Sequence, residues 1–179
     1  MPLTLSLLRH AKSSWDDAGI EDIDRPLNSR GRKAAPAMGA WIAANGIKPD
    51  LVLCSTAART RETLALLLPS WKPKPEVRYD KALYLAELEG LLALIAATPA
   101  AVGHLMIVGH NPGLHDVATG FSNAGDKDLR TCLTDKFPTA GLAVITFEAP
   151  AWDKIARRKG RLIHFMTPRT LPEPPTKKR

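Results

Sequence analysis

The chain has almost no cysteine: two in 179 residues, Cys54 and Cys132, without paired spacing. That excludes a disulfide framework and a zinc ribbon. No apolar run approaches the ~20 residues that a membrane helix needs. Met1-Pro2-Leu3-Thr4 lacks the basic region and small-residue cleavage site of a secretory signal. The expectation is a cytoplasmic protein that does not engage the membrane. Walker and Gly-rich dinucleotide sequences are absent. His110 and His115 are five apart, which is not the two-histidine helical spacing of a zinc protease. We expect no metal and no cofactor.

The composition is that of an ordinary globular chain, 45% hydrophobic and 24% charged. Its net charge is +7, and part of the excess lies in Lys154, Arg157, Arg158, Lys159 and Arg161 and part in Lys177-Lys178-Arg179. No aromatics interleave with these charges as a stacking platform for nucleic acid requires. A solvated basic surface, not nucleic-acid binding, is expected. The length suits one domain, placed at residues 1–166. The Pro-rich basic segment 167–179 is expected to be a disordered tail.

Apolar strands read at Leu3–Leu8, Asp50–Cys54, Val77–Tyr79 and Leu105–Val108. Between them, helical spacing predicts helices from Ser29 to Asn45, from Ala58 to Leu68, around Leu88 to Ile95, and after Pro112. Pro36 should cost the first of these a hydrogen bond or bend it. Leu142–Phe147 and Arg161–Phe165 read as late strands, as a hairpin at a sheet edge. This alternation predicts an α/β fold, a three-layer α/β/α sandwich with a mostly parallel sheet.

Ligands of such folds bind beyond the carboxyl ends of the strands. Arg9-His10, the segment Ser55 to Arg59, and His110 each follow a different strand. Imidazole can attack phosphorus and carry it as a covalent phosphohistidine. Arg9 and Arg59 supply planar forks that match phosphate oxygens. Arg59 falls in the first turn of a helix, where a positive charge is unfavourable and a bound anion would account for it. Asn111 suits an N-cap and Pro112 the first helical position, which sets His110 at a helix N-terminus that favours an anion. Arg25 either binds phosphate or makes a structural ion pair. Arg61 is expected to pair with a carboxylate. A cysteine phosphatase fits poorly, because it needs five residues between Cys and Arg, whereas Arg59 has four after Cys54 and Arg61 has six.

In Leu8-Arg9-His10-Ala11, Asp24-Arg25-Pro26-Leu27 with Gly31, Ser55-Thr56-Ala57-Ala58-Arg59 with Glu62-Thr63, and Val108-Gly109-His110-Asn111-Pro112, the chain resembles the histidine phosphatase superfamily. Within it, the resemblance is closer to short phosphohistidine phosphatases of the SixA type. Phe137-Pro138-Thr139-Ala140 resembles a late Thr-containing segment of that family. The resemblance implies a phosphoglycerate-mutase-like sandwich. It implies His10 as the phosphorylated nucleophile, with Arg9, Arg59 and His110 as the phosphate pocket. Mutase-like members carry a glutamate acid between the two core motifs, which makes Glu87 the candidate general acid, with Glu89 nearby. Where other members have an aspartate after the second histidine, this chain has Asn111. The implied function is a metal-independent phosphatase acting on protein phosphohistidine, so its partner is a histidine-phosphorylated protein. A phosphatase of small phosphate esters and a weakly catalytic phosphate-recognition module are the alternatives.

Overall fold

The computed structural model describes residues 2–155, 157 and 159–172. Seven strands run through them: β1 (Leu3–Arg9), β2 (Leu51–Ser55), β3 (Glu76–Asp80), β4 (His104–Gly109), β5 (Ser122–Gly125), β6 (Leu142–Phe147) and β7 (Gly160–Met166). The helices are α1 (Ser29–Ala44), α2 (Ala58–Leu67), α3 (Leu88–Ala96), α4 (Gly113–Phe121) and α5 (Lys127–Asp135). All strands join one sheet in the order β3-β2-β4-β1-β6-β7-β5. From β3 to β1 the pairing is parallel. β6 runs antiparallel to β1 and β7, and β5 is parallel to β7.

Side chains alternate across a strand, so a strand buried on both sides feeds two cores. Leu5, Leu7, Leu53, Leu105 and Ile107 meet Leu91 and Ile95 of α3, Leu114 and Val117 of α4, and Leu133 of α5. Leu8, Val52, Cys54, Met106 and Val108 face the other way, onto Ala35, Met38 and Ile42 of α1 and Leu64 and Leu67 of α2. Each buried side chain of this size contributes ~1.5–3 kcal/mol. The carboxyl ends of β1, β2 and β4 are therefore gripped from both faces. The three-layer α/β/α sandwich expected from the sequence is the fold observed.

Several local expectations need correction. α1 runs unbroken past Pro36, which costs it the hydrogen bond that proline cannot donate, as expected, and lies on its exposed face while Ala35, Met38 and Ile42 are buried opposite. The β6–β7 pair is inside the sheet and not at its edge, because β5 adds outside β7. Neither β5 nor α5 was expected. Arg61 is exposed and makes no ion pair among the described residues. Of the expected tail, residues 167–170 form a turn in which Thr167 and Thr170 hydrogen-bond, and Leu171 packs on the α1–α2 side. Residues 173–179 lie outside the described residues. Among the described residues, no helix is long and apolar enough to cross a membrane.

Candidate active site

Register puts the two histidines side by side. Arg9, the last residue of β1, is paired with Gly109, the last of β4. The next residue on each strand, His10 and His110, leaves the sheet at the same edge, and the His10 amide bonds Gly109 O at 3.1 Å. Their ring centroids are 5.4 Å apart. β2, beside β4, ends at Ser55, whose Oγ lies 2.8 Å from His110 Nε2.

The loops that carry these residues are tied down by backbone. The Ala11 amide donates to Thr63 Oγ1 at 2.9 Å, and Thr63 Oγ1 in turn donates to Arg59 O, which fixes α2 to the His10 loop. Gly31 lets the first turn of α1 touch Lys12, since a Cβ there would lie 2.2 Å from Lys12 O. Gly113 does the same for α4, where a Cβ would lie 2.1 Å from Ala86 O. A larger residue at either position pushes a site loop away.

These elements enclose a cleft of about 420 Å³ lined by Arg9, His10, Arg25, Arg59, His110 and Thr139, with Lys12, Ser13, Trp15, Asp22, Leu85 and Asn111 around them. His10 is buried, and its Nδ1 lies 2.7 Å from Ala11 O. A carbonyl only accepts, so Nδ1 carries the ring proton and Nε2 keeps its lone pair. Burial lowers the His10 pKa to about 3; the neighbouring His110 and the two arginines add to this, and the Ala11 carbonyl opposes it. Burial beside Arg59 brings His110 to about 4. Both rings are neutral near neutral pH. His110 Nε2 is hydrogen-bonded to Ser55 Oγ, and its buried Nδ1 has no protein partner. Arg9 Nε and Arg59 Nε are also buried without acceptors. Arg9, Arg59 and His110 thus bring two guanidinium N–H groups and one imidazole nitrogen without protein partners to the residues that line one cleft.

The depressed histidines make stability depend on pH. An unfolded histidine takes a proton near pH 6.5, whereas His10 in the fold resists until about pH 3. Between those values the unfolded chain binds more protons, so stability falls on acidification and the loss levels off only near the folded pKa. We expect the melting temperature of wild type to drop more steeply from pH 7 to 4 than that of His10→Gln, in phosphate-free buffer. Parallel pH dependences would contradict the burial of a neutral His10.

Asp22 was not singled out by the sequence, yet it organises the cleft. Its Oδ2 lies 3.0 Å from Arg59 Nη2 and accepts from Tyr84 Oη at 2.6 Å. Its Oδ1 accepts from Arg25 Nε at 3.0 Å. The Tyr84 hydrogen bond and the Arg59 charge hold its pKa at about 2. Arg59, only 2% exposed, thus receives part of the anion that its helix position calls for from Asp22. Arg25 both lines the cleft and is held by Asp22, Ser13 Oγ and Ser14 O, so the structural ion pair is realised.

Other sequence expectations fare differently. Glu87 is exposed at the N-cap of α3 and is absent from the lining of the cleft, so the structure does not place it as a general acid. Glu89 pairs with Arg157 at 2.8 Å. Asn111 does not cap α4: its Nδ2 donates to Phe137 O at 2.9 Å, and Pro112 takes the N-cap position. Burial pushes the Cys54 thiol up to about 12. A thiolate is therefore unavailable, and Cys54→Ser should leave kcat/KM within a few-fold of wild type. A loss of several orders of magnitude in a folded Cys54→Ser protein would argue for a cysteine mechanism.

The sequence profile described as histidine phosphatase superfamily (branch 1) matches residues 5–91. A solved SixA protein of Agrobacterium tumefaciens, described as a candidate phosphohistidine phosphatase, is 34% identical over 93% of this chain and 99% of its own, with a TM-score of 0.76. The chain belongs to the histidine phosphatase superfamily, and within it is of SixA type. A second solved SixA-type structure, from Nakamurella, is 31% identical over 94% of this chain and 97% of its own, with a TM-score of 0.80. An uncharacterised Mycobacterium tuberculosis protein is 36% identical over 90% of this chain and its own full length. As a histidine phosphatase of this type the chain is a phosphoryl hydrolase, and its substrate bears phosphate.

Proposed function

We propose that the protein dephosphorylates protein phosphohistidine through a covalent phospho-His10. The observation that carries this reading is the hydrogen bond from His10 Nδ1 to Ala11 O, which leaves Nε2 as the nucleophile. Nε2 forms a bond to phosphorus as the bond to the leaving group breaks. Arg9, Arg59 and His110 Nδ1 donate to the equatorial oxygens, where fixed donors are most effective. The phosphorylated ring now bears a proton on Nδ1, held by Ala11 O, so water attacking phosphorus expels a neutral imidazole. Phosphate leaves and His10 returns to its starting tautomer.

The substrate follows from the missing acid. Among the described residues, Asp22 is the carboxylate that lines the cleft, and it is ionised and committed to Arg25, Arg59 and Tyr84. General acid catalysis contributes ~10²–10⁴-fold, so a cleft without it favours a group that leaves without help. The imidazole of phosphohistidine is such a group once protonated. The description of the Agrobacterium relative supports the same substrate. We expect kcat/KM for a phosphohistidine peptide to exceed that for methyl phosphate by ~10² or more, and Glu87→Gln to leave this ratio unchanged. Equal values for the two substrates would favour a phosphatase of small esters instead.

A further inference from the structure

Among the described residues, few large apolar side chains are exposed, and two of them, Trp15 at 72% and Leu85 at 51%, line the cleft. Single exposed apolar residues are normal; two on the lip of one polar cleft call for a reason. They are also built in. The Arg25 guanidinium lies 3.5 Å from the centroid of the Trp15 ring, and Arg25 is itself fixed by Asp22 and Ser13. The Trp15 segment is pinned by a Ser13–Leu27 bridge and by the Ser14 amide on Pro26 O. Leu85 adopts φ 50°, a left-handed conformation that a branched side chain rarely takes. It follows Tyr84, whose hydroxyl holds Asp22, and precedes Ala86, on which α4 packs. Asp22 Oδ1 thus leads through Arg25 to Trp15, and Oδ2 through Tyr84 to Leu85.

We propose that Trp15 and Leu85 are specificity-determining residues that receive a planar, aromatic leaving group beside the phosphoryl site. One ring face of Trp15 is covered by Arg25, while the residue stays mostly exposed and so can stack on the departing ring. Leu85 supplies the apolar contact beside it. This rests on the phosphohistidine reading above and makes the imidazole of the substrate the occupant of the lip. The contact involves no bond making, so it acts on binding and should appear mainly in KM.

The test compares two P–N substrates with the same reacting bond: a phosphohistidine peptide, which brings the ring, and phosphoramidate, which does not. We expect Trp15→Ala to lower the ratio of their kcat/KM values about tenfold, mainly through KM, and Leu85→Ala to lower it by less. Trp15→Phe should restore most of the ratio. Ile163→Ala, an exposed apolar change on β7, should not alter it. An unchanged ratio in folded Trp15→Ala protein overturns the proposal. An equal loss on both substrates also overturns it, since Trp15 would then serve only to hold Arg25. If wild type hydrolyses neither P–N substrate, the phosphohistidine reading fails, and the proposal is decided on phenyl against methyl phosphate. There, a fall in that ratio in Trp15→Ala supports it and an unchanged ratio overturns it.

Discussion

His10→Ala is expected to lower kcat by on the order of 10⁴-fold or more while the protein stays folded. The two other candidate nucleophiles are not free to take over. His110 has its Nε2 engaged with Ser55 Oγ, and the Cys54 thiol is pushed up to about 12. The His10 side chain makes one recorded hydrogen bond, to the next residue, so its removal costs little structure. Steady-state rates on an aryl phosphate, with a thermal melt as a folding control, measure this. A His10→Ala protein within tenfold of wild type would show that phosphorus is attacked by something else, with water as the first suspect.

Arg59→Ala carries the second large effect. Removing one preorganised donor to a developing oxyanion typically costs ~10²–10³-fold, and we expect a loss of that size in kcat/KM. Arg59→Lys should not restore it, because an ammonium lacks the fork that donates at once to Asp22 O and Asp22 Oδ2. Asp22 holds Arg59, and through its other contacts Arg25 and Tyr84. Asp22→Asn should therefore cost about tenfold in wild type and little in an Arg59→Ala background, the non-additivity expected of residues in one network. Additive losses would mean that Asp22 contributes by a route other than Arg59, with Arg25 the first to examine.

The part of the site that could be read from sequence is the part set by strand ends. Arg9, His10, Arg59 and His110 were legible because each follows an apolar strand, and in a parallel sheet those ends converge. Asp22, Tyr84 and Trp15 were not legible. Asp22 sits in the acidic run Glu21-Asp22-Ile23-Asp24, and nothing local distinguishes it from its neighbours. Its role comes from contacts 37 and 62 residues away. One signal was present: a cation in the first turn of α2 requires an anion, and Asp22 is three residues before the Arg25 already suspected of an ion pair. Glu87 was chosen by its position between the motifs alone, which does not show that the chain there turns outward at the N-cap of α3, away from the residues that line the cleft. The fold shows the same division. β2 and β4 are continuous apolar runs and β1 places Leu3, Leu5 and Leu7 on one face, whereas β5 is Ser-Asn-Ala-Gly and carries no strand pattern. α5 buries only Leu133, and its legible signal was the Asp126 N-cap with Leu129, Cys132 and Leu133 at helical spacing.

Trapping the phosphoenzyme tests the covalent claim most directly. Wild type mixed with excess aryl phosphate, quenched in alkaline denaturant within the first turnovers and digested, should give a single phosphopeptide that contains His10. The label should survive base and be lost in acid, as expected of a phosphoramidate. It should be absent from His10→Ala and present in Cys54→Ser. Turnover at the wild-type rate with no label on His10 under the same quench would contradict the account.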